Sequence, residues 1–322
     1  MMKTVSNIQS GTILEAAARI SPFVNRTPVL TSSTINRLFN SEIYLKCENF
    51  QKVGAFKARG ATNAVLSLDK EKLVHGIATH SSGNHAQALS WAASLVNTKA
   101  YIVMPSNSSK IKVNAVKEYG GIITFCTPTL ESRETTLREV ILKTGATEIH
   151  PYNDERIIAG QATAALELIE EVKNLDIVIA PVGGGGLLSG TSLAVHYFSP
   201  LTSVIAAEPE QANDAFLSFT SHRLIPSLHP DTIADGLRTS LGSVTFPIIL
   251  QHVQSIVTVS ELSIVKAMRF LWERMKIIIE PSSAVPFAAI MEGKIDVAGK
   301  RTGLLISGGN VDLEDLPWMK HE

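Results

Sequence analysis

Two cysteines, Cys47 and Cys126, are all that the 322-residue chain contains, which leaves nothing from which to build a disulfide framework. The pair suits a reducing cytoplasm, the expected compartment, and each reads as a small buried hydrophobe rather than a metal thiolate. No apolar run reaches the roughly 18 residues that a membrane span needs, so no membrane partner is expected. The opening stretch MMKTVSNIQSGTILEAAARI has no uninterrupted hydrophobic core and reads as an amphipathic helix, not a signal peptide. An excess of one charge is missing as well: 29 basic side chains stand against 30 acidic ones, for a net charge of −1. Such a surface offers no electrostatic hold to nucleic acid or anionic lipid. The triphosphatase loop G-x-x-x-x-G-K-[ST] is absent, and there is no internal repeat or low-complexity linker.

What is present is a chain with 45% apolar residues, enough for one large or two moderate cores. Ser10 or Thr12 is placed to cap a first helix with Leu14, Ala17, Ala18 and Ile20 along one face. Pro28 bars a helix in RTPVLTSS and favours extended backbone. Short apolar strands then alternate with helices: GIATHS, NHAQALSWAASLV, KAYIVMP, KIKVNAVKEYG, GIITFC, ESRETTLREVILKTG. A second series opens near His150 with DERIIAGQATAALELIEEV, DIVIAPV, GGGLLSGTSLAVHYF and TSVIAAE, and closes with SIVTVS, ELSIVKAMRFLWERM, SSAVPFAAIMEG and TGLLIS. The stretch from Ala212 to Val244 reads as loop-rich. This rhythm predicts an α/β fold with two open, twisted parallel-sheet domains flanked by helices. Residues 1–76 with 150–322 form the larger domain, residues 77–149 a small mobile one, and a small-molecule site lies in the cleft between them.

The stretch GAFKARGA sets one lysine, Lys57, between Phe56 and an Ala/Gly-rich helix start. A lysine has an unperturbed pKa of roughly 10.4; burial lowers it, and the free amine can form a Schiff base with an aldehyde cofactor. Gly183, Gly184, Gly185 and Gly186 follow an apolar strand and open a helix, a layout whose free N–H groups and dipole suit a phosphate. Close helix–strand packing explains one or two of these glycines but not four. A dinucleotide remains a rival ligand, because Glu208 ends the next strand where a ribose-binding acid belongs. Against it, GGGGLLSG holds G-x-G-x-x-G in no register.

Four motifs stand in one order: GAFKARGA, SSGNHAQ, GGGGLLSG and SGGN. Together they resemble the pyridoxal-phosphate enzymes of the tryptophan-synthase-β-like (fold-type II) group, and within it the serine racemases and serine/threonine dehydratases. The similarity runs from TPVLTSS to SGGNVDL. It implies that Lys57 bears pyridoxal 5'-phosphate and removes the Cα proton, with Phe56 packed near the cofactor. Asn84 would bond the pyridoxal 3-oxygen, the four glycines the phosphate, and Ser307 the pyridine nitrogen. Ser82 would face the substrate from the side opposite Lys57 and return a proton there, which racemisation requires; its other reading is a helix cap. Ser81, Asn84 and His85 would meet the substrate carboxylate, with Arg133 and Ser240 lining the pocket. His80 and the remaining histidines read as structural or exposed.

The resemblance further implies a divalent cation, Mg2+ or else Ca2+ or Mn2+, on Glu208, Asp214 and the carbonyl of Ala212, a hard-oxygen set, and a homodimer. The implied reaction is racemisation of serine, or elimination of water from serine, threonine or 3-hydroxyaspartate followed by hydrolysis to a 2-oxo acid and ammonia. The last substrate needs an extra cation, for which Arg133 and Arg238 are candidates. An NAD-dependent oxidoreductase and an inactive binding module are the competing classes.

Overall fold

The computed structural model describes residues 7–319. Its strands are β1 (Val29–Leu30), β2 (Glu42–Cys47), β3 (Ile77–His80), β4 (Ala100–Pro105), β5 (Ile122–Cys126), β6 (Thr147–Glu148), β7 (Ile177–Pro181), β8 (Ser203–Pro209), β9 (Ser255–Val259) and β10 (Arg301–Ile306). They form two sheets, of order β1-β2-β10-β7-β8-β9 and β5-β4-β3-β6. Every pairing is parallel except β1 with β2. Continuous apolar runs make this arrangement possible: β7 is buried along its whole length, as a strand covered by helices on both faces must be.

Helices Glu155–Glu171 and Gly186–Phe198 cover one face of the larger sheet, with Ile158, Ala162, Leu193 and Val178 in a shared core. Helices Glu261–Met275 and Pro281–Met291 cover the other, around Met268, Leu271, Phe287 and Ile179. The helix Lys57–Leu66 belongs to the core of the smaller sheet, where Ala58, Ala61, Ala64 and Val65 meet Ile77, Leu89 and Ile102. The same helix lies against Glu155–Glu171, because Asn63 Nδ2 donates to Arg156 O (2.7 Å) and Gly60 N to Gln161 Oε1 (3.2 Å). Lys57 therefore starts a helix wedged between the two sheets.

Arg59 anchors that wedge. Its buried guanidinium donates to both oxygens of Glu48 (2.7 and 2.8 Å) and both oxygens of Glu167 (2.7 and 2.8 Å). Lys46 joins Glu167 at 2.6 Å. Opposed charges in bidentate geometry are what make such deep burial tolerable.

Several local expectations need correction. Gln9, not Ser10 or Thr12, occupies the N-cap of the first helix, Ser10–Ile20, and Thr12 Oγ1 accepts from Gln9 N. Its buried stripe is Ile13, Ala16 and Ile20, whereas Leu14 is 49% exposed and Ala18 faces solvent. The 13/16/20 spacing drifts less around a 3.6-residue turn than the stripe begun at Leu14. Residues 1–6 of the expected amphipathic stretch lie outside the described residues. Cys47 is buried, but Cys126 is only half-buried on the edge strand. The stretch after Ala212 holds the helix Asp214–Ser221, capped by His222 in the left-handed region. Ser, Thr and Asp concealed that helix from a propensity reading.

Candidate active site

Phe56 N donates to Ser307 O at 2.9 Å, and Ala55 bridges to Gly308. These two bonds tie the start of the Lys57 helix to the end of β10. Lys57 Nζ donates to Pro151 O at 2.7 Å and lies 5.2 Å from the centre of the Phe56 ring. Burial lowers its pKa to about 8, against an opposing pull from the charge of Glu280.

Gly183–Gly186 leave the end of β7 and open the next helix. Gly185 sits at φ +87°, in the left-handed region. A Cβ on Gly184 would stand 2.3 Å from the ring of Tyr152, so only glycine lets that ring lie on the loop. Pro151 holds the amine and Tyr152, its neighbour, covers the glycines. The amine and the glycine bend are thus brought together by one turn, Pro151–Tyr152.

The loop Ser81–Gly83 leaves the end of β3, and the helix Asn84–Leu95 follows. Its N-cap is Gly83, which removes the capping role considered for Ser82. No hydrogen bond holds the Ser82 side chain among the described residues. Ser81 Oγ accepts from Gly83 N at 3.3 Å. His85 Nε2 meets Ile149 O at 3.2 Å; a carbonyl only accepts, so Nε2 bears the hydrogen. Its Nδ1 is then a bare acceptor, buried without a partner, and burial, with the Lys57 charge second, drives its pKa well below the usual histidine range.

The sequence profile of the pyridoxal-phosphate dependent enzymes matches residues 20–308. The chain belongs to this family. It is 50% identical over 306 residues to a beta-hydroxyaspartate dehydratase of Paracoccus denitrificans, covering 95% of this chain and 97% of that one. A serine racemase of Dictyostelium discoideum shares 48% over 321 residues, 98% of each chain. The crystal structure of serine racemase from Dictyostelium discoideum superposes with a TM-score of 0.91 at 49% identity, over 95% of this chain and 99% of that one. Membership decides between an aldehyde cofactor and a dinucleotide in favour of pyridoxal phosphate.

The residues at the cleft fit that cofactor: a half-buried amine of lowered pKa, a glycine bend, and the Ser307 hydroxyl beyond. Ser307 is buried, its Oγ 2.9 Å from Ser283 Oγ. Arg133 lies close enough to His80, at the end of β3, for its charge to act there: the His80 pKa falls through burial first and the Arg133 charge second. Arg133 Nε is buried without a partner. Arg238 turns back on its own loop, donating from Nε to Thr232 O at 2.8 Å and also from Nη2. The two candidate cations thus differ: Arg238 is held against Thr232 of its own loop, while Arg133 keeps a buried Nε with no hydrogen-bond partner among the described residues. Ser240 Oγ accepts from Ser227 N at 2.8 Å, closing the loop between them.

Glu208 accepts from the N–H groups of Ala215 (3.0 Å) and Phe216 (2.8 Å). Both oxygens of Asp214 are buried without a hydrogen-bond partner. Burial raises the Asp214 pKa to about 6, although Ser227 and the Leu241 amide lie near enough to hold it down in part. Burial and then the Asp214 charge raise Glu208 well above the carboxylate range. Two crowded carboxylates short of positive partners, with the buried Ala212 of the turn Glu210–Ala212 alongside, fit a hard cation. No cluster of three or more His, Cys, Asp or Glu occurs among the described residues, so backbone carbonyl and water must complete any coordination.

Sequence reading passed over four residues here. His150 Nδ1 accepts from Asn153 N (2.9 Å) and Tyr152 N (3.3 Å), which places its hydrogen on Nε2, and burial lowers its pKa to about 4. Tyr152 covers the glycines. Glu280 and Asn310 bracket Asn84 from two sides. The only sequence signal for these was proximity: His150 and Tyr152 flank a Pro, and Asn310 ends SGGN.

Proposed function

We propose that the chain acts on small β-hydroxy amino acids, converting serine, threonine or 3-hydroxyaspartate to a 2-oxo acid and ammonia and interconverting the enantiomers of serine. The carrying observation is the Lys57 amine, held at 2.7 Å on Pro151 O with a pKa lowered to about 8 beside a buried glycine cradle. Pyridoxal phosphate, when bound, supplies the electron sink for bonds at Cα. Lys57 is the residue that would hold it, Gly183–Gly186 its phosphate, and Ser307 its ring nitrogen.

Lys57 takes the Cα proton on one face. Ser82, whose hydroxyl no neighbour engages among the described residues, returns one on the other; without that second donor the configuration cannot invert. Ser81, His85 and the N–H groups at the start of Asn84–Leu95 bind the substrate carboxylate. Arg133, with its spare donor, pairs with the second carboxylate of 3-hydroxyaspartate, and Ser240 shapes that wall. Loss of the Cα proton and β-hydroxyl as water leaves an enamine that hydrolyses to oxo acid and ammonia. Glu208, Asp214 and the Ala212 carbonyl bind Mg2+, which steadies the loop between β8 and Ser240. A homodimer, a cytoplasmic location and movement of residues 77–149 as a unit complete the reading.

The test starts from purified protein and pyridoxal phosphate. Oxo-acid release and enantiomer formation are followed on L-serine, L-threonine and 3-hydroxyaspartate beside the visible absorbance. The expected result is a visible yellow band that borohydride erases, on the order of 10²–10⁴-fold slower turnover in Lys57→Ala, and no band in that variant. Colourless wild-type protein, or turnover untouched by Lys57→Ala, would end the proposal.

A further inference from the structure

Asn84 Nδ2 lies 3.0 Å from each oxygen of Glu280. Two oxygens of one carboxylate subtend too narrow an angle at that range to receive both N–H bonds of an amide, which diverge by about 120°. One N–H is therefore shared between them and the other is uncommitted. At the opposite end, Asn84 Oδ1 accepts from Asn310 Nδ2 at 2.9 Å. Asn310 cannot turn over, because the same Nδ2 also donates to Val53 O at 2.7 Å; both of its neighbours are acceptors. Glu280 is equally fixed, with its N–H on Gly308 O at 3.1 Å and Oε1 against Gly308.

We infer that Glu280 and Asn310 are positioning residues that hold the Asn84 amide in one orientation, so that a single free N–H is kept for an oxygen acceptor on the bound cofactor. The inference rests on the cofactor reading above. A purely structural pairing would be served at lower cost by a neutral glutamine at 280, since a buried carboxylate is expensive. Burial raises the Glu280 pKa to about 7, with the Asp235 charge adding to it, so this site holds an acidic group against its solvation preference. Glutamine is not equivalent: its amide can donate as well as accept, and it permits Asn84 to turn over.

The experiment titrates apoenzyme with pyridoxal phosphate, reading the visible band, its pH dependence and the melting temperature of the apo form. Glu280→Gln is expected to weaken cofactor binding about tenfold, the effect of one charged hydrogen bond, and to move the pH midpoint of the band, with the apo melting temperature unchanged or higher. Asn310→Asp sets an acceptor against Asn84 Oδ1 and should weaken binding likewise. The exchanged pair Asn84→Asp with Glu280→Gln restores a donor–acceptor contact in reversed polarity; it should keep the apo melting temperature at least at the wild-type value but not recover cofactor affinity. Wild-type affinity and spectrum in Glu280→Gln and Asn310→Asp would overturn the inference, and so would full recovery of affinity in the exchanged pair. Should Glu280→Gln fail to fold, the affinity of Asn310→Asp decides between these outcomes. Wild-type protein that develops no band removes the cofactor reading, and this inference with it.

Discussion

At the scale of single residues, the cleft is tuned by burial more than by charge pairs. Lys57 is lowered to about 8 because desolvation outweighs Glu280. Only its free base reacts with an aldehyde, so uptake of pyridoxal phosphate by the apo chain should rise about tenfold between pH 7 and pH 9 and then flatten. Stopped-flow absorbance measures this, and a rate still climbing toward pH 10.5 would mean an unshifted amine. Ser82 offers a second contrast. Relieved of any capping duty by Gly83, it should be dispensable for elimination: Ser82→Ala should lose on the order of 10²-fold in racemisation and stay within a few-fold in oxo-acid release. Racemisation at the wild-type rate would remove the serine from the opposite face.

At the scale of elements, the active cleft is made where strands end. The ends of β3, β7 and β10 lead into the serine loop, the glycine bend and SGGN, as parallel sheets favour. The turn after Ile149 links them, since Pro151 holds the amine and Tyr152 the glycines. Gly184→Ala would drive a methyl to within 2.3 Å of the Tyr152 ring and displace that turn. Equilibrium titration should show cofactor affinity reduced about tenfold or more, a loss of at least one good contact. Adding Tyr152→Ala should restore part of it, because the obstruction is then gone. If Gly184→Ala binds the cofactor normally, the close approach has no functional weight.

At the scale of the whole molecule, the two sheets are joined through the wedge helix and its buried ion network, while the proposed cation site, Glu208 with Asp214, lies at one side of the larger sheet. Glu208 and Asp214 hold protons more tightly when folded than unfolded. The stability they contribute is present below their unfolded pKa values and is lost as pH rises through the folded ones. A cation binds only the ionised pair. Millimolar Mg2+ should therefore raise the melting temperature little at pH 5.5 and progressively more toward pH 8, and Asp214→Asn should abolish the rise. A shift independent of pH, or one that survives Asp214→Asn, would place the ion elsewhere.

The sequence by itself determined the sheet-and-helix alternation, the lysine and the glycine bend, because each is a local signal: apolar runs of fixed length, one amine beside small residues, four consecutive glycines. The helix after Ala212 escaped, since it is only eight residues long and Asp, Ser and Thr are interspersed among its apolar residues. Tertiary structure alone decided which groups meet. Asn84 lies 196 residues from Glu280 and 226 from Asn310, and no periodicity spans such distances. Arg133 and Arg238 looked alike as cations until packing left one with a bare Nε and fastened the other to its own loop. Desolvation belongs to the same class. A lysine's pKa is set by what surrounds it in three dimensions, which residues adjacent in the chain do not reveal.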